Sequence, residues 1–167
     1  FGLTSEDVNS LSYALMIKKG LNIYLEKLTN FNKTLKTLSK KWINISFLSR
    51  THGQAASPST IGKEIKVFYS RIDRELNIIK NITPLAKFSG ATGNYHTFDI
   101  ANEKINWPKF NDKFINTFDI KQNSITTQIE PHDWIAELLQ SITRINNICI
   151  DLSQDMWIYI SNDIFLL

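Results

Sequence analysis

Residues 133–160, DWIAELLQSITRINNICIDLSQDMWIYI, carry the pattern that decides the fold. Leu138, Ile142, Ile145, Cys149, Leu152, Met156 and Tyr159 recur three and four residues apart, which gathers apolar side chains into one stripe of an α-helix. Glu130-Pro131 provides a proline start just ahead of it. Over Asp133–Ile160 such a helix extends roughly 40 Å at the standard rise. The period favours long helices packed at shallow crossing angles, and that length suits a large bundle better than a compact small domain.

Working outward, the same period recurs at the start of the chain. Thr4-Ser5-Glu6-Asp7 has the form of a capping box, with Thr4 as N-cap. Behind it Val8, Leu11, Leu15, Leu21, Leu25, Leu28, Leu35 and Leu38 mark an apolar face, which Gly20 weakens without ending. The pattern lapses from Lys40 to Gly53, which reads as a connector. Ser57-Pro58 then predicts a helix start, and Ile61, Ile65, Phe68, Ile72, Leu76 and Ile79 define its buried face as far as Thr83-Pro84. Gly90-Ala91-Thr92-Gly93-Asn94 reads as a turn. A short helix is expected from Trp107-Pro108, with Phe110, Phe114 and Phe118 turned inward. No internal repeat or low-complexity segment stands out. The expectation is an all-α, long-helix bundle.

Composition narrows the function. The chain has 167 residues, and 43% hydrophobic with 21% charged content is ordinary for a globular protein. A net charge of +3, with lysines scattered along helical faces, lacks the concentrated basic stripe of a nucleic-acid binder. Cys149 stands alone and can form no internal disulfide, which fits a reducing, cytoplasmic setting. No apolar run approaches membrane-spanning length and no signal peptide is visible. The chain begins at Phe1 without a methionine, so residues 1–167 are expected to be a fragment.

Three polar clusters remain outside the helical faces. Thr4-Ser5 lies at a helix N-terminus, where free N–H groups favour an anion, although a threonine or serine there is equally a good cap. Thr51-His52, with Gln54, places an imidazole between a hydroxyl and a glycine on a polar turn, where it can give or take a proton. Thr126-Thr127-Gln128 precedes the long helix. Gln128 offers a donor and an acceptor to a carboxylate, an amide or a purine edge, or simply to nearby backbone. His132, in the first turn of a helix, reads as local packing or capping, and His96 stays unassigned. The three histidines lack companion cysteines and helical pairing, so no zinc site is expected. No nucleophile elbow and no phosphate-binding glycine loop is present.

Taken in order, Thr4-Ser5-Glu6-Asp7, the run Ser49 to Glu64, Gly90 to Tyr95, and Thr126-Thr127-Gln128-Ile129-Glu130-Pro131-His132-Asp133 resemble the adenylosuccinate lyase family. The likeness covers nearly all of the chain. The shorter elements are shared across the fumarase/aspartase superfamily, whereas Arg-Thr-His-Gly-Gln with Pro-Ser-Thr-Ile-Gly-Lys-Glu points to the bacterial-type branch. The resemblance implies the central helical domain of such a lyase, acting in purine nucleotide biosynthesis without metal or cofactor. It implies cleavage of adenylosuccinate to AMP and fumarate, and of the related succinyl-carboxamide imidazole nucleotide, by β-elimination. By resemblance His52 is the general acid, while Thr4, Ser5 and Gln128, with Thr51, bind substrate. It also implies a homotetramer whose active sites are shared between subunits, with no nucleic-acid or membrane partner. The family's catalytic serine loop, its N-terminal segment and its C-terminal domain have no counterpart in residues 1–167, so the fragment alone is expected to be inactive. A sister lyase, such as argininosuccinate lyase or fumarase, and a non-catalytic helical scaffold are the competing readings.

Overall fold

The long helix forms where its period places it. In the computed structural model, which describes residues 2–165, α5 runs from Asp133 to Ser161. The preceding elements are α1 (Ser5–Lys41), β1 (Ser46–Thr51), β2 (Gln54–Thr60), α2 (Ile61–Asn81), β3 (Leu85–Ala86), α3 (His96–Ala101), α4 (Trp107–Asn116) and β4 (Lys121–Gln122). The chain divides into two compact units. One takes in residues up to Tyr24 together with Ile82–Leu138, and the other takes in Leu25–Asn81 and the residues from Leu139 onward. Among the described residues no helix is long and apolar enough to cross a membrane.

In the first unit, the start of α1 follows the capping-box pattern from one side. Asp7 Oδ2 accepts the Thr4 N–H at 2.9 Å, while the Asp7 N–H turns to the Thr4 carbonyl at 3.1 Å. Leu11 and Ala14 of α1 are buried, as are Ala86, Phe98, Ile115, Ile120, Trp134 and Leu138. Val8, expected inside, is 52% exposed, because the buried side of this first turn is taken by Glu6, Asp7 and Ser10. β3 and β4 form a short parallel pair, Leu85 opposite Lys121 and Ala86 opposite Gln122. The Asn106 side chain caps α4 by accepting the Lys109 N–H, and Pro108 occupies its first turn.

The inward Phe110, Phe114 and Phe118 are corrected. They are 52%, 37% and 37% exposed, and Asn111 and Ile115 take the buried face of α4. The phenylalanines instead pack ring against ring in a half-covered cluster, Phe114 lying 5.1 Å from Phe88 and 5.4 Å from Phe118.

The second unit rests on α2. Ile61, Ile65, Phe68, Ile72, Leu76 and Ile79 are all buried, as the sequence period requires. Leu28 and Leu35 of α1 and Ile145, Ile148 and Leu152 of α5 are also buried. Each such aliphatic side chain contributes about 1.5–3 kcal/mol on full burial.

Two expectations fail here for one reason. α1 continues to Lys41, and Ser46–Thr51 of the expected connector is β1, paired antiparallel with β2. Ser57-Pro58 therefore lies inside β2, with Pro58 opposite Leu48, and does not start a helix. Thr60 caps α2 instead, its hydroxyl accepting the Lys63 N–H at 3.2 Å.

Candidate active site

The first unit draws Thr4, with Ser5 next to it in the chain, and Gln128 into one hydrogen-bonded frame. Lys87 is the largest of the fully buried side chains among the described residues, and an ammonium in that position requires a partner. Its Nζ lies 2.9 Å from Asp7 Oδ1, and both side chains are 0% exposed. Nζ also donates to the carbonyls of Gly90 at 2.6 Å and Gln128 at 3.0 Å. Asp7 in turn accepts the N–H groups of Thr4, Ser89 and Gly90 at 2.9, 3.0 and 3.2 Å. One buried ion pair thus ties the start of α1, the glycine turn and the segment bearing Gln128. Its bonds use backbone atoms at Thr4 and Gln128. Among the described residues, no hydrogen bond engages the side chains of Thr4, Ser5 or Gln128, and the last two are exposed.

Gly93 closes the same frame. Its φ is +78°, and an added Cβ would lie 2.0 Å from the Thr126 carbonyl oxygen. No L side chain fits there, so the turn can approach residues 126–128 only through glycine.

His52 and Thr51 belong to the second unit, at the tip of the β1–β2 hairpin. Thr51 pairs with Gln54, leaving His52 and Gly53 as a two-residue loop with φ of 52° and 72°. Two consecutive left-handed residues make the turn whose twist matches the strands, and glycine accepts the second position without strain. Arg50 Nη1 donates to the Gly53 carbonyl at 3.1 Å and the Ser49 hydroxyl donates to the Ser57 carbonyl. These bonds brace the hairpin while both His52 and Thr51 stay exposed.

A cleft of about 550 Å³ opens beside the hairpin, lined among others by Phe47, Arg50, Lys63, Glu64, Asp155 and Tyr159. Burial pushes the Glu64 carboxyl up, but bonds from Lys63 and Ser59 outweigh it and hold the group below its ordinary value. Burial and then the Glu64 charge push the Tyr159 phenol up to about 12. Burial, with Glu64 and Asp151 adding like charge, also raises Asp155. Tyr159 is therefore a neutral donor at physiological pH, and its hydroxyl faces Glu64 at 3.5 Å.

Sequence reasoning missed Lys87 and the full role of Asp7. A lone lysine just before the glycine turn, in Leu85-Ala86-Lys87-Phe88, was the available signal. His132 precedes α5, its carbonyl accepting the N–H groups of Ile135 and Ala136, which agrees with a capping position. Its ring, however, stands between the carboxylates of Glu6 and Glu130 at 3.2 and 3.1 Å. His96 is the first residue of α3 and is exposed.

The buried Lys87–Asp7 pair thus fixes backbone in the first unit, while the side chains of Ser5, Gln128 and, in the second unit, His52 stay exposed. The lyase family model matches residues 1–166, and the chain belongs to that family. It is similar to the adenylosuccinate lyase of Buchnera aphidicola subsp. Acyrthosiphon pisum, 46% identical over 99% of this chain and 36% of that protein. The adenylosuccinate lyase of Vibrio cholerae is 43% identical over 96% of this chain and 36% of its own length. The resemblance read from the motifs is thereby borne out, and the chain spans about a third of the length of these relatives. In fold it is similar to the β-carboxy-cis,cis-muconate cycloisomerase of Acinetobacter calcoaceticus sp. ADP1, with a TM-score of 0.83 at 20% identity over 96% of this chain and 36% of that one.

Proposed function

We propose that this chain is the central helical domain of an adenylosuccinate lyase and carries part of its active site. The supporting observation is the Lys87–Asp7 frame, which secures the backbone of Thr4 and Gln128 and leaves the side chains of Thr4, Ser5 and Gln128 unengaged among the described residues. The reaction is a β-elimination. A base removes the proton beside a succinyl carboxylate, the carbon–nitrogen bond breaks, and an acid protonates the departing purine nitrogen. AMP and fumarate are the products, and the succinyl-carboxamide imidazole nucleotide reacts in the same way.

His52 is the general acid in this proposal, its imidazole exposed at a turn too short to wander. Thr4, Ser5 and Gln128 bind substrate, the hydroxyls and the N–H groups at the start of α1 donating to a carboxylate and the amide supplying a paired donor and acceptor. Thr51 lines the pocket beside His52. No residue of this chain is assigned the base, so the fragment alone is inactive. The protein works in purine nucleotide biosynthesis in the cytoplasm, as a homotetramer with shared sites. The uncovered apolar side chains Met16 and Ile23 on α1 and Ile150 and Trp157 on α5, each more than half exposed, support that assembly.

The test is an assay of the full-length protein. It should convert adenylosuccinate to AMP with release of fumarate. Activity on malate or argininosuccinate alone would move the assignment to a sister lyase, and no lyase activity at all would leave a scaffold.

A further inference from the structure

We infer that His132 is a positioning residue for substrate binding: set between the buried carboxylates of Glu6 and Glu130, its ring ties the backbone that carries Ser5 to the backbone that carries Gln128. This rests on the adenylosuccinate lyase reading proposed above.

Glu6 follows Ser5 directly and Glu130 lies two residues beyond Gln128. Glu6 is 8% exposed and Glu130 is 1% exposed, so two carboxylates of like charge are held out of water in the same unit. Glu130 is well served: Oε1 accepts the Asn123 side-chain amide at 2.9 Å, and Oε2 accepts the His132 N–H at 2.7 Å. Glu6 is not, since its Oε1 is buried without an aligned hydrogen bond. The basic group against that oxygen is His132 Nε2 at 3.2 Å, an oblique ion-pair contact.

The opposite ring nitrogen, Nδ1, lies 3.1 Å from Glu130 Oε2. Each ring nitrogen thus stands against its own carboxylate, Nε2 against Glu6 and Nδ1 against Glu130.

The ring is held from three sides. Tyr13 of α1 meets it edge-on at 6.3 Å. The backbone of His132 adopts φ of 61°, unusual outside glycine, and its carbonyl is locked into the first turn of α5. The structure therefore keeps a strained residue where its ring spans the two acids. His132 acts through Glu6 and Glu130, whose neighbours Ser5 and Gln128 meet the substrate. It is not assigned a proton transfer.

Steady-state kinetics of full-length His132→Gln on adenylosuccinate test this. Glutamine has a single side-chain nitrogen and cannot set one against each acid. KM should rise about tenfold, which corresponds to about 1.4 kcal/mol, and kcat should fall much less. The thermal midpoint and the assembly mass should stay close to the parent's. Glu6→Gln should raise KM less, and adding it to His132→Gln should raise KM no further, because both changes break the same contact. A folded His132→Gln protein with the parent's KM overturns the inference. If that variant does not fold, Glu6→Gln decides: a raised KM supports the tie and an unchanged KM overturns it.

Failure of the underlying reading looks different, since the unmodified protein would then not cleave adenylosuccinate. Amide exchange without ligand reads the tie even in that case. His132→Gln must speed exchange in residues 5–9, and unchanged exchange there overturns the inference.

Discussion

Replacing Lys87 with methionine keeps most of the buried stem and removes the ammonium. Three contacts are lost, at 2.9 Å to Asp7, 2.6 Å to the Gly90 carbonyl and 3.0 Å to the Gln128 carbonyl. Breaking a buried pair from one side costs about 3–5 kcal/mol. Asp7 keeps its bonds from the N–H groups of Thr4, Ser89 and Gly90, and the Gly90 carbonyl keeps the Gly93 N–H at 3.3 Å. Those survivors place the loss near the lower end, about 3 kcal/mol, which corresponds to roughly a hundredfold in a local opening equilibrium. Hydrogen exchange of the full-length protein should show the Ser89 and Gly90 amides losing about that much protection. The rest of the protein should stay folded. Protection of these two amides within threefold of the parent's, in a folded variant, would refute the idea that Lys87 holds the frame.

His52→Ala in the complete protein should lower kcat by about 10²–10⁴-fold while circular dichroism and assembly persist; near-normal turnover would sink its role as the acid. Gly93→Ala must displace Thr126 and should lower stability by about 1–3 kcal/mol and raise KM, read by thermal melting and initial rates. A variant matching the parent in both would show that the turn does not constrain residues 126–128. Glu75 offers a pH test. Burial raises its carboxyl, but bonds from Arg144 at 2.9 Å and Ser141 at 2.6 Å outweigh burial and hold it below the ordinary value. Stability from a depressed carboxylate is present above its unfolded pKa and is lost as pH falls through its folded one. Arg144→Met should therefore lower stability near neutrality and flatten the acid side of the stability–pH curve. An unchanged acid limb would contradict this account.

The helices were legible because their signal is local. Each stripe on α2 and α5 repeats within one turn, and every residue of the α2 stripe is buried, with Gly62 and Glu75 beside it. The hairpin was not legible. In β1 only Phe47 and Ser49 alternate inward, too short a run to set a period, and the pairing partner lies across the turn. Ser57-Pro58 mimics a helix start, yet each strand of a two-stranded ribbon has a free edge that tolerates a missing N–H. On α4, Phe110, Phe114 and Phe118 had the right spacing but the wrong face, since ring-to-ring packing let them stay half exposed.

The candidate site divides along the same line. Thr4, Ser5, Thr51, His52 and Gln128 show as polar residues outside the helical stripes, each near an element end. The ties near Thr4, Ser5 and Gln128 join residues far apart in the chain, Asp7 with Lys87 and Glu6 with His132. A buried charge has no periodic signature, so only the assembled fold reveals these pairs.

The His52-Gly53 loop also constrains how the gene can vary. Side chains alternate between faces along a strand, and the pairing already shifts by one residue between Leu48 and Arg50, so one inserted or deleted residue between Thr51 and Gln54 would put Arg50 and Thr51 out of step with Gln54 and Ala55. Point substitutions within the ribbon leave that count intact. Outside Thr51, His52 and Gly53, this stretch of coding sequence should therefore accept changes of letter while purging changes of length. Its spacing, more than its composition, is the inherited quantity.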